Sequence, residues 1–248
     1  MLQVGTWGPT QHLLAGARTQ HTTLLAPKRG PGVTLCAPLA SLPFASDSID
    51  AIVLPHTLEL VEDPYAVLTM HYFKQAGSRG QALHQDQFYL KVEPGTCVAA
   101  WLALEPIDEE NGCMSVVPGS QNLPVLCTIQ SDITQSFTDV TVPVPEDMKA
   151  EPVIMETGDV LFFNGSVIHG SGPNKSKDRF RRSLIAHYAT GDALKLGSWY
   201  KAMDFDGNPI TLEANPGGAK CGRWVDLEGS PVVELVDKEA HDLRNLRD

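Results

Sequence analysis

The chain is poor in basic residues: its 248 residues contain 19 lysines and arginines against 30 aspartates and glutamates, a formal net charge of −11. Nucleic acids require a basic surface that neutralises their phosphates, so this balance argues against a nucleic-acid partner. No apolar run approaches the roughly 20 residues of a membrane span, and no secretory signal is apparent at the N-terminus. We therefore expect a soluble, cytoplasmic protein with no membrane contact.

Cysteines are few, and their spacing shows no pattern. The five form an odd number with no Cys-x-x-Cys pair, at Cys36, Cys97, Cys113, Cys127 and Cys221. This usage favours reduced thiols over a disulfide framework. The hydrophobic content of 42% suffices for a core, whereas nothing in the sequence indicates the oligomeric state.

The most informative residues that are present are His84 and Asp86. A β-strand places alternate side chains on one face, so these two side chains would project together. A distant histidine, His169, would complete a set of two imidazoles and one carboxylate. Such a set occupies one face of an octahedral metal ion, the geometry typical of non-haem Fe(II) oxygenases. A lone His-x-Asp is common by chance, so this interpretation depends on its context.

That context consists of six blocks of sequence: Met70 to Tyr89, Trp101 to Leu104, Glu110 to Ser120, Gly158 to Asn164, His169 to Asn174 and Phe180 to Tyr188. In this order the blocks resemble the phytanoyl-CoA dioxygenase family of Fe(II)/2-oxoglutarate oxygenases. The resemblance runs from about residue 70 nearly to the C-terminus.

The resemblance implies roles for particular residues. His84, Asp86 and His169 would bind Fe(II), with 2-oxoglutarate and dioxygen as cosubstrates and ascorbate as a reductant. Arg181 would hold the distal carboxylate of 2-oxoglutarate, with Ser171 beside it. Three further residues match positions that line the family's cosubstrate pocket, namely Met70, Gln85 and Trp101. Halogenating relatives replace the carboxylate ligand with a small residue, so we expect hydroxylation of a small organic substrate with release of succinate and CO2.

Three arginines compete for the carboxylate-binding role: Arg179, Arg181 and Arg182. A guanidinium offers a bidentate fork that lysine cannot match. Strand alternation puts Arg181 and Arg182 on opposite faces without choosing between them, and the register of the resemblance favours Arg181. His187 shares the face of Arg181. We interpret it as a hydrogen-bonded barrel histidine, or one near the cosubstrate, rather than as a fourth ligand.

Short apolar runs separated by Gly, Pro, Asn and Asp are typical of a β-sandwich or barrel. They predict strands over residues 98–104, 114–117, 160–163 and 183–188. The expected fold class is mainly β, a double-stranded β-helix of the jelly-roll or cupin-like type. An incomplete α/β Rossmann-like segment would precede it.

Residues 1–69 differ from the rest of the chain. Residues 42–59 and 63–68 resemble the middle of a class I S-adenosylmethionine-dependent methyltransferase, where an acidic turn precedes a buried parallel strand, here 51–54. Residues 2–8 are similar to a reduced first strand and glycine loop. Because the later strands of that sheet are absent, one edge and one face would stay uncovered. We predict a partial methyltransferase-like segment over 1–69 without methyl-transfer activity, and a dioxygenase-like domain over 70–248.

Two other functions stay open. The chain could be a cupin-like metalloprotein that uses Zn or Mn without 2-oxoglutarate, although that chemistry has no need of a dicarboxylate-binding arginine such as Arg181. Alternatively, because two incomplete family segments meet in one chain, it could be a catalytically silent fusion product.

Overall fold

The computed structural model describes residues 64–145 and 148–238, together with the backbone of two short strands, β1 (Leu35–Cys36) and β2 (Ile52–Val53). These two strands pair in parallel, so a parallel strand does lie within the predicted segment 51–54. The glycine loop at 2–8 and the other features predicted before residue 64 lie outside the described residues. The division at residue 69 therefore stays a prediction.

Strands dominate the described part of the chain. In chain order they are β3 (Tyr65–Lys74), β4 (Gln81–His84), β5 (Val98–Ala103), β6 (Met114–Val116), β7 (Ile129–Gln130), β8 (Val140–Thr141), β9 (Glu151–Val153), β10 (Val160–Asn164), β11 (His169–Ser171), β12 (Arg181–Ala189), β13 (Lys195–Gly197), β14 (Ala202–Met203), β15 (Pro209–Ile210), β16 (Glu213–Asn215), β17 (Lys220–Leu227) and β18 (Ser230–Asp237). A helical turn, α1 (Gln87–Leu90), follows β4, and a 3₁₀ turn (Ser120–Asn122) follows β6. The four predicted strands are all present, as β5, β6, β10 and β12. β3 is continuous across the predicted division at residue 69.

Two antiparallel sheets form the body of the fold. The larger has the strand order β10-β5-β12-β3-β14-β15 and the smaller the order β4-β11-β6-β9. Their side chains share one core, in which Trp101 and Ile185 of the larger sheet pack with Met114 and Val116 of the smaller. The predicted fold class, mainly β and of the double-stranded β-helix type, is confirmed. Among the strands of residues 64–145 and 148–238, no hydrogen-bonded ladder closes the two sheets into a barrel.

The outer face of the smaller sheet is covered by loops and by the hairpin of β17 and β18. Leu126 and Ile168 are buried there, and Trp224 and Val233 of the hairpin pack against them. This cover lies directly behind the strands that carry the predicted histidine ligands. The hairpin therefore stabilises the back of the site.

A disulfide between Cys127 and Cys221 joins this hairpin to the segment after the 3₁₀ turn. The expectation that all thiols are reduced is therefore wrong. The two cysteines are 94 residues apart in sequence, and their Cα atoms are 4.9 Å apart, a separation that only tertiary packing reveals. Cys97 and Cys113 are buried free thiols.

No helix in the described part of the chain is long and apolar enough to cross a bilayer.

Candidate metal and cosubstrate site

His84 and His169 lie directly opposite each other on the neighbouring strands β4 and β11. Their Nε2 atoms lie 3.5 Å and 3.7 Å from the same carboxylate oxygen, Oδ1 of Asp86. All three ligand atoms fall within 4.8 Å of one another. The structure thus brings together the two imidazoles and the carboxylate that the sequence singled out.

Both imidazoles are anchored to the backbone in the same way. Nδ1 of His84 lies 2.9 Å from the carbonyl oxygen of Ala82, and Nδ1 of His169 lies 3.0 Å from that of Val167. Because a carbonyl only accepts hydrogen bonds, each Nδ1 carries the proton and each Nε2 presents a lone pair. Two nitrogen donors and one carboxylate oxygen on one side of a cavity fit an Fe(II) ion with its remaining positions open.

The protonation states of the site favour metal binding. Burial lowers the pKa of His169 to about 4, helped by the charge of His84, so this ring is neutral at neutral pH. Burial by itself opposes ionisation of Asp86, but His169, His187 and His84 outweigh it and hold the pKa of the carboxyl well below its ordinary value. A neutral imidazole and an ionised carboxylate are the forms that ligate metals.

Asp86 reaches the site by a route that strand alternation does not describe. β4 ends at His84, and Asp86 has helical backbone angles at the start of α1. The chain turns at this point, and the turn brings the carboxylate round to the imidazoles. The predicted juxtaposition of the two side chains is present, but the predicted reason for it is wrong.

Gln85, between these two residues, points away from the cavity. Its side chain is 1% exposed. The amide nitrogen donates to the carbonyls of Pro124 and Ser166 at 3.1 Å and 2.9 Å, and the amide oxygen accepts from Leu126 N at 2.8 Å. The expectation that Gln85 lines the cosubstrate pocket is therefore wrong. Its three hydrogen bonds instead hold the backbone between His84 and Asp86 against the loops that cover the outer face of the smaller sheet.

The three arginines occupy different environments. Arg181 is 3% exposed on the inner face of β12, whereas the adjacent Arg182 is exposed and donates to Glu105 at 2.7 Å. Arg179 forms ion pairs with Asp108 and Glu110 at the surface. Only Arg181 faces the cavity, in agreement with the register of the sequence resemblance.

Arg181 is a buried cation without a carboxylate partner among the residues that the structure describes. It donates to Ser183 Oγ at 2.9 Å and to Ser171 Oγ at 3.5 Å. Its Nε has no hydrogen-bond partner among the described residues. Its guanidinium carbon lies 5.4 Å and 5.6 Å from the ring centroids of Trp101 and Tyr72. Burial lowers its pKa to about 10. A desolvated, unpaired guanidinium with a free donor is suited to bind an anionic ligand.

One cavity of about 270 Å³ is lined by His84, Asp86 and His169 and also by Arg181. Met70, Trp101 and Ser171, which were predicted to contact the cosubstrate, line this cavity. The lining residues that sequence reasoning did not single out include Gln81, Tyr72, Tyr89, Tyr200 and Leu68. Gln81 could have been found from its position three residues before His84. Its Nε2 atom lies 3.1 Å from the Nε2 atom of His84. Tyr200 lies outside all of the motif blocks, so no motif pointed to it.

A model of the phytanoyl-CoA dioxygenase (PhyH) family matches residues 13–183, more than half of the chain. The chain belongs to the phytanoyl-CoA dioxygenase family. The match includes His84, Asp86, His169 and Arg181, and it begins well before residue 70, where the sequence analysis placed the start of the resemblance.

Individual proteins are similar over shorter stretches. The peroxisomal phytanoyl-CoA dioxygenase of Rattus norvegicus is 32% identical over 115 residues, covering 44% of this chain and 33% of the relative. The dioxygenase aneA of Aspergillus aculeatus is 33% identical over 163 residues, covering 59% of this chain and 50% of the relative. This chain therefore spans only a third to a half of the length of these relatives. Among solved structures, the non-heme alpha ketoglutarate dependent epimerase SnoN from nogalamycin biosynthesis superposes with a TM-score of 0.46 at 25% identity, over 65% of each chain.

Proposed function

We propose that the protein is an Fe(II)/2-oxoglutarate-dependent dioxygenase that hydroxylates a small organic substrate and releases succinate and CO2. One observation carries the proposal. The same cavity contains a cluster of two histidines and one aspartate and, beside it, a buried arginine without an acidic partner in the described structure. A metal site alone would not require the arginine. The pair of features matches a cosubstrate that bears a carboxylate at each end.

Each residue has a defined task in this proposal. His84, Asp86 and His169 hold Fe(II), which supplies the activation of dioxygen when bound. Arg181 and Ser171 bind the distal carboxylate of 2-oxoglutarate. Trp101 and Met70 form part of the apolar wall around it, and they exclude water that would weaken the arginine–carboxylate attraction.

The rest of the cavity indicates the substrate class. Its lining includes the uncharged side chains of Leu68, Tyr89, Leu90 and Tyr200. The hydroxyls of the two tyrosines make no hydrogen bond to other described residues, so they are free to bind substrate polar groups. This surface favours a neutral molecule with an apolar body and a few hydrogen-bonding groups. The net charge of −11 argues against a nucleic-acid substrate.

The two alternatives are less well supported. A cupin-like metalloprotein without 2-oxoglutarate leaves the burial of Arg181 unexplained. A catalytically silent product is disfavoured because all the expected ligand and anchor side chains meet in one cavity. The cytoplasmic location expected from the sequence stays untested, and the Cys127–Cys221 disulfide argues against it, since disulfides persist mainly in oxidising compartments. Thiol titration of the protein isolated from its own cells under denaturing conditions would decide that point.

The direct test is succinate release from 2-oxoglutarate in the presence of Fe(II) and ascorbate. The wild type should release succinate at a basal rate, faster with a true substrate, and the His84→Ala variant should not. With heavy dioxygen, one labelled oxygen should enter the product and the other succinate. No succinate release, together with no 2-oxoglutarate binding to the metal-loaded protein in calorimetry, would refute the proposal.

A further inference from the structure

Lys74, at the end of β3, lies behind Ser171 and outside the cavity lining. Its side chain is buried, with 6% exposure. Its Nζ donates to the carbonyl oxygen of Gly172 at 2.7 Å, to Ser171 Oγ at 2.9 Å and to the carbonyl oxygen of Gly112 at 3.4 Å. A lysine ammonium has three donors, and these three acceptors use all of them.

The backbone around Lys74 is closely packed. A Cβ at Gly112 would lie 2.6 Å from the carbonyl oxygen of Gly172, and one at Gly80 would lie 2.1 Å from that of Ser171. Glycine at both positions lets the chain approach the end of β11 closely enough for Lys74 to join Gly112 to Gly172. The lysine is therefore held in one place.

Lys74 also lies directly opposite Arg181 across β3 and β12. Like charges at directly opposed positions of a sheet repel. Neither side chain pairs with a carboxylate anywhere in the described chain. The titratable groups that face Lys74 are Arg181 and Cys113, and burial raises the pKa of the Cys113 thiol, so that thiol carries no compensating charge. Two buried cations side by side indicate that a bound anion compensates their positive charge.

The contacts of Ser171 determine the direction of its hydroxyl proton. Its oxygen has two lone pairs, and Lys74 at 2.9 Å and Arg181 at 3.5 Å approach as donors. With both lone pairs engaged, the hydroxyl proton is left for an acceptor elsewhere. Ser171 lines the cavity, where the distal carboxylate of the cosubstrate would be that acceptor.

We propose that Lys74 is a positioning residue for the cosubstrate: by donating to Ser171 Oγ it makes the Ser171 hydroxyl a hydrogen-bond donor to the distal carboxylate. This inference rests on the proposed 2-oxoglutarate-dependent function. It predicts that 2-oxoglutarate affinity depends on the protonation of Lys74, since a neutral amine can accept the Ser171 proton and turn it away from the ligand. Burial and the charge of Arg181 lower the pKa of Lys74 to about 7, so this change falls in an accessible range.

The test is anaerobic calorimetry of 2-oxoglutarate binding to the Mn(II)-loaded protein. Lys74→Met and Ser171→Ala should each weaken binding by about tenfold, the lower range for a charge-assisted hydrogen bond. If Lys74 acts through Ser171, the double variant should be no weaker than the weaker single variant. Mn(II) affinity should be unchanged, and the exposed Lys177→Met variant should bind 2-oxoglutarate like the wild type.

A pH series provides a second measurement that needs only the wild type, in case Lys74→Met does not fold. Affinity for 2-oxoglutarate should fall as pH rises between about pH 6 and pH 8.5, because Lys74 loses its proton over this range. Protonation of the metal ligands would instead weaken binding at low pH, which is the opposite trend. Ser171→Ala should flatten the profile. A wild type that does not bind 2-oxoglutarate refutes the proposed function and this inference together. A wild type that binds with a flat profile, or a folded Lys74→Met variant with unchanged affinity, refutes the role of Lys74 alone.

Discussion

His187 donates a hydrogen bond from Nε2 to Oδ2 of Asp86 across 2.9 Å, joining residues 101 positions apart in the sequence. An ionised carboxylate can only accept, so the proton resides on Nε2. This contact occupies one oxygen of Asp86 and leaves the other, Oδ1, facing His84 and His169. His187 thus orients the carboxylate rather than acting as a fourth ligand, in line with the interpretation from sequence.

Replacing His187 by Phe should weaken iron binding. Partners that orient a metal ligand typically contribute about 10- to 100-fold in metal affinity, and we expect a loss in that range in an anaerobic Fe(II) titration. His71→Phe, at an exposed histidine of β3, is the matched control and should bind iron normally. Unchanged iron affinity in folded His187→Phe would show that Asp86 needs no such support.

The three proposed ligands should be individually necessary. His84→Ala or His169→Ala leaves two protein ligands, so we expect loss of both stoichiometric Fe(II) binding and succinate release. Metal content after loading and desalting measures the first effect. Full iron occupancy in the doubly substituted protein would place the metal elsewhere.

Arg181→Lys should weaken 2-oxoglutarate binding while iron affinity stays near that of the wild type. The substitution retains the charge but loses the bidentate fork, at a cost of about 1.5–3 kcal/mol. Arg182→Lys is the matched control, because that side chain pairs with Glu105 outside the cavity. The assignment would be wrong if the control showed the loss and Arg181→Lys did not.

Loss of the disulfide should lower the stability of the fold. Cys221→Ser releases a loop closed over 94 residues, and we expect the free energy of unfolding to fall by about 2–4 kcal/mol. Guanidinium denaturation measures the change. A thiol reductant should reproduce it in the wild type and have no further effect on Cys221→Ser. Equal stability of wild type and variant under oxidising conditions would show that the bond contributes nothing.

Several properties of this protein follow from local sequence. Alternation along β12 places Arg181 and His187 on one face, whichever way the strand is oriented. Short apolar runs bounded by turn residues are sufficient to predict β5, β6, β10 and β12, because their pattern depends only on neighbouring residues. The resemblance of the sequence blocks to the phytanoyl-CoA dioxygenase family indicates His84, Asp86 and His169 as the candidate ligands. These inferences need no knowledge of which distant segments meet.

The remaining properties depend on contacts between residues far apart in the chain. The burial of Arg181, in contrast to Arg182, is determined by which face of β12 meets the core. The outward direction of Gln85 depends on acceptors and donors at Pro124, Leu126 and Ser166, and the disulfide depends on a hairpin packing against the outer cover. Lys74 carried no signal, because its position behind Ser171 results from the pairing of β3 with β12 and the close approach of glycine-containing turns. Sequence determined the strands and indicated the candidate ligands, whereas tertiary structure decided which side chains share the cavity, because burial and long-range hydrogen bonds arise only when the two sheets pack together.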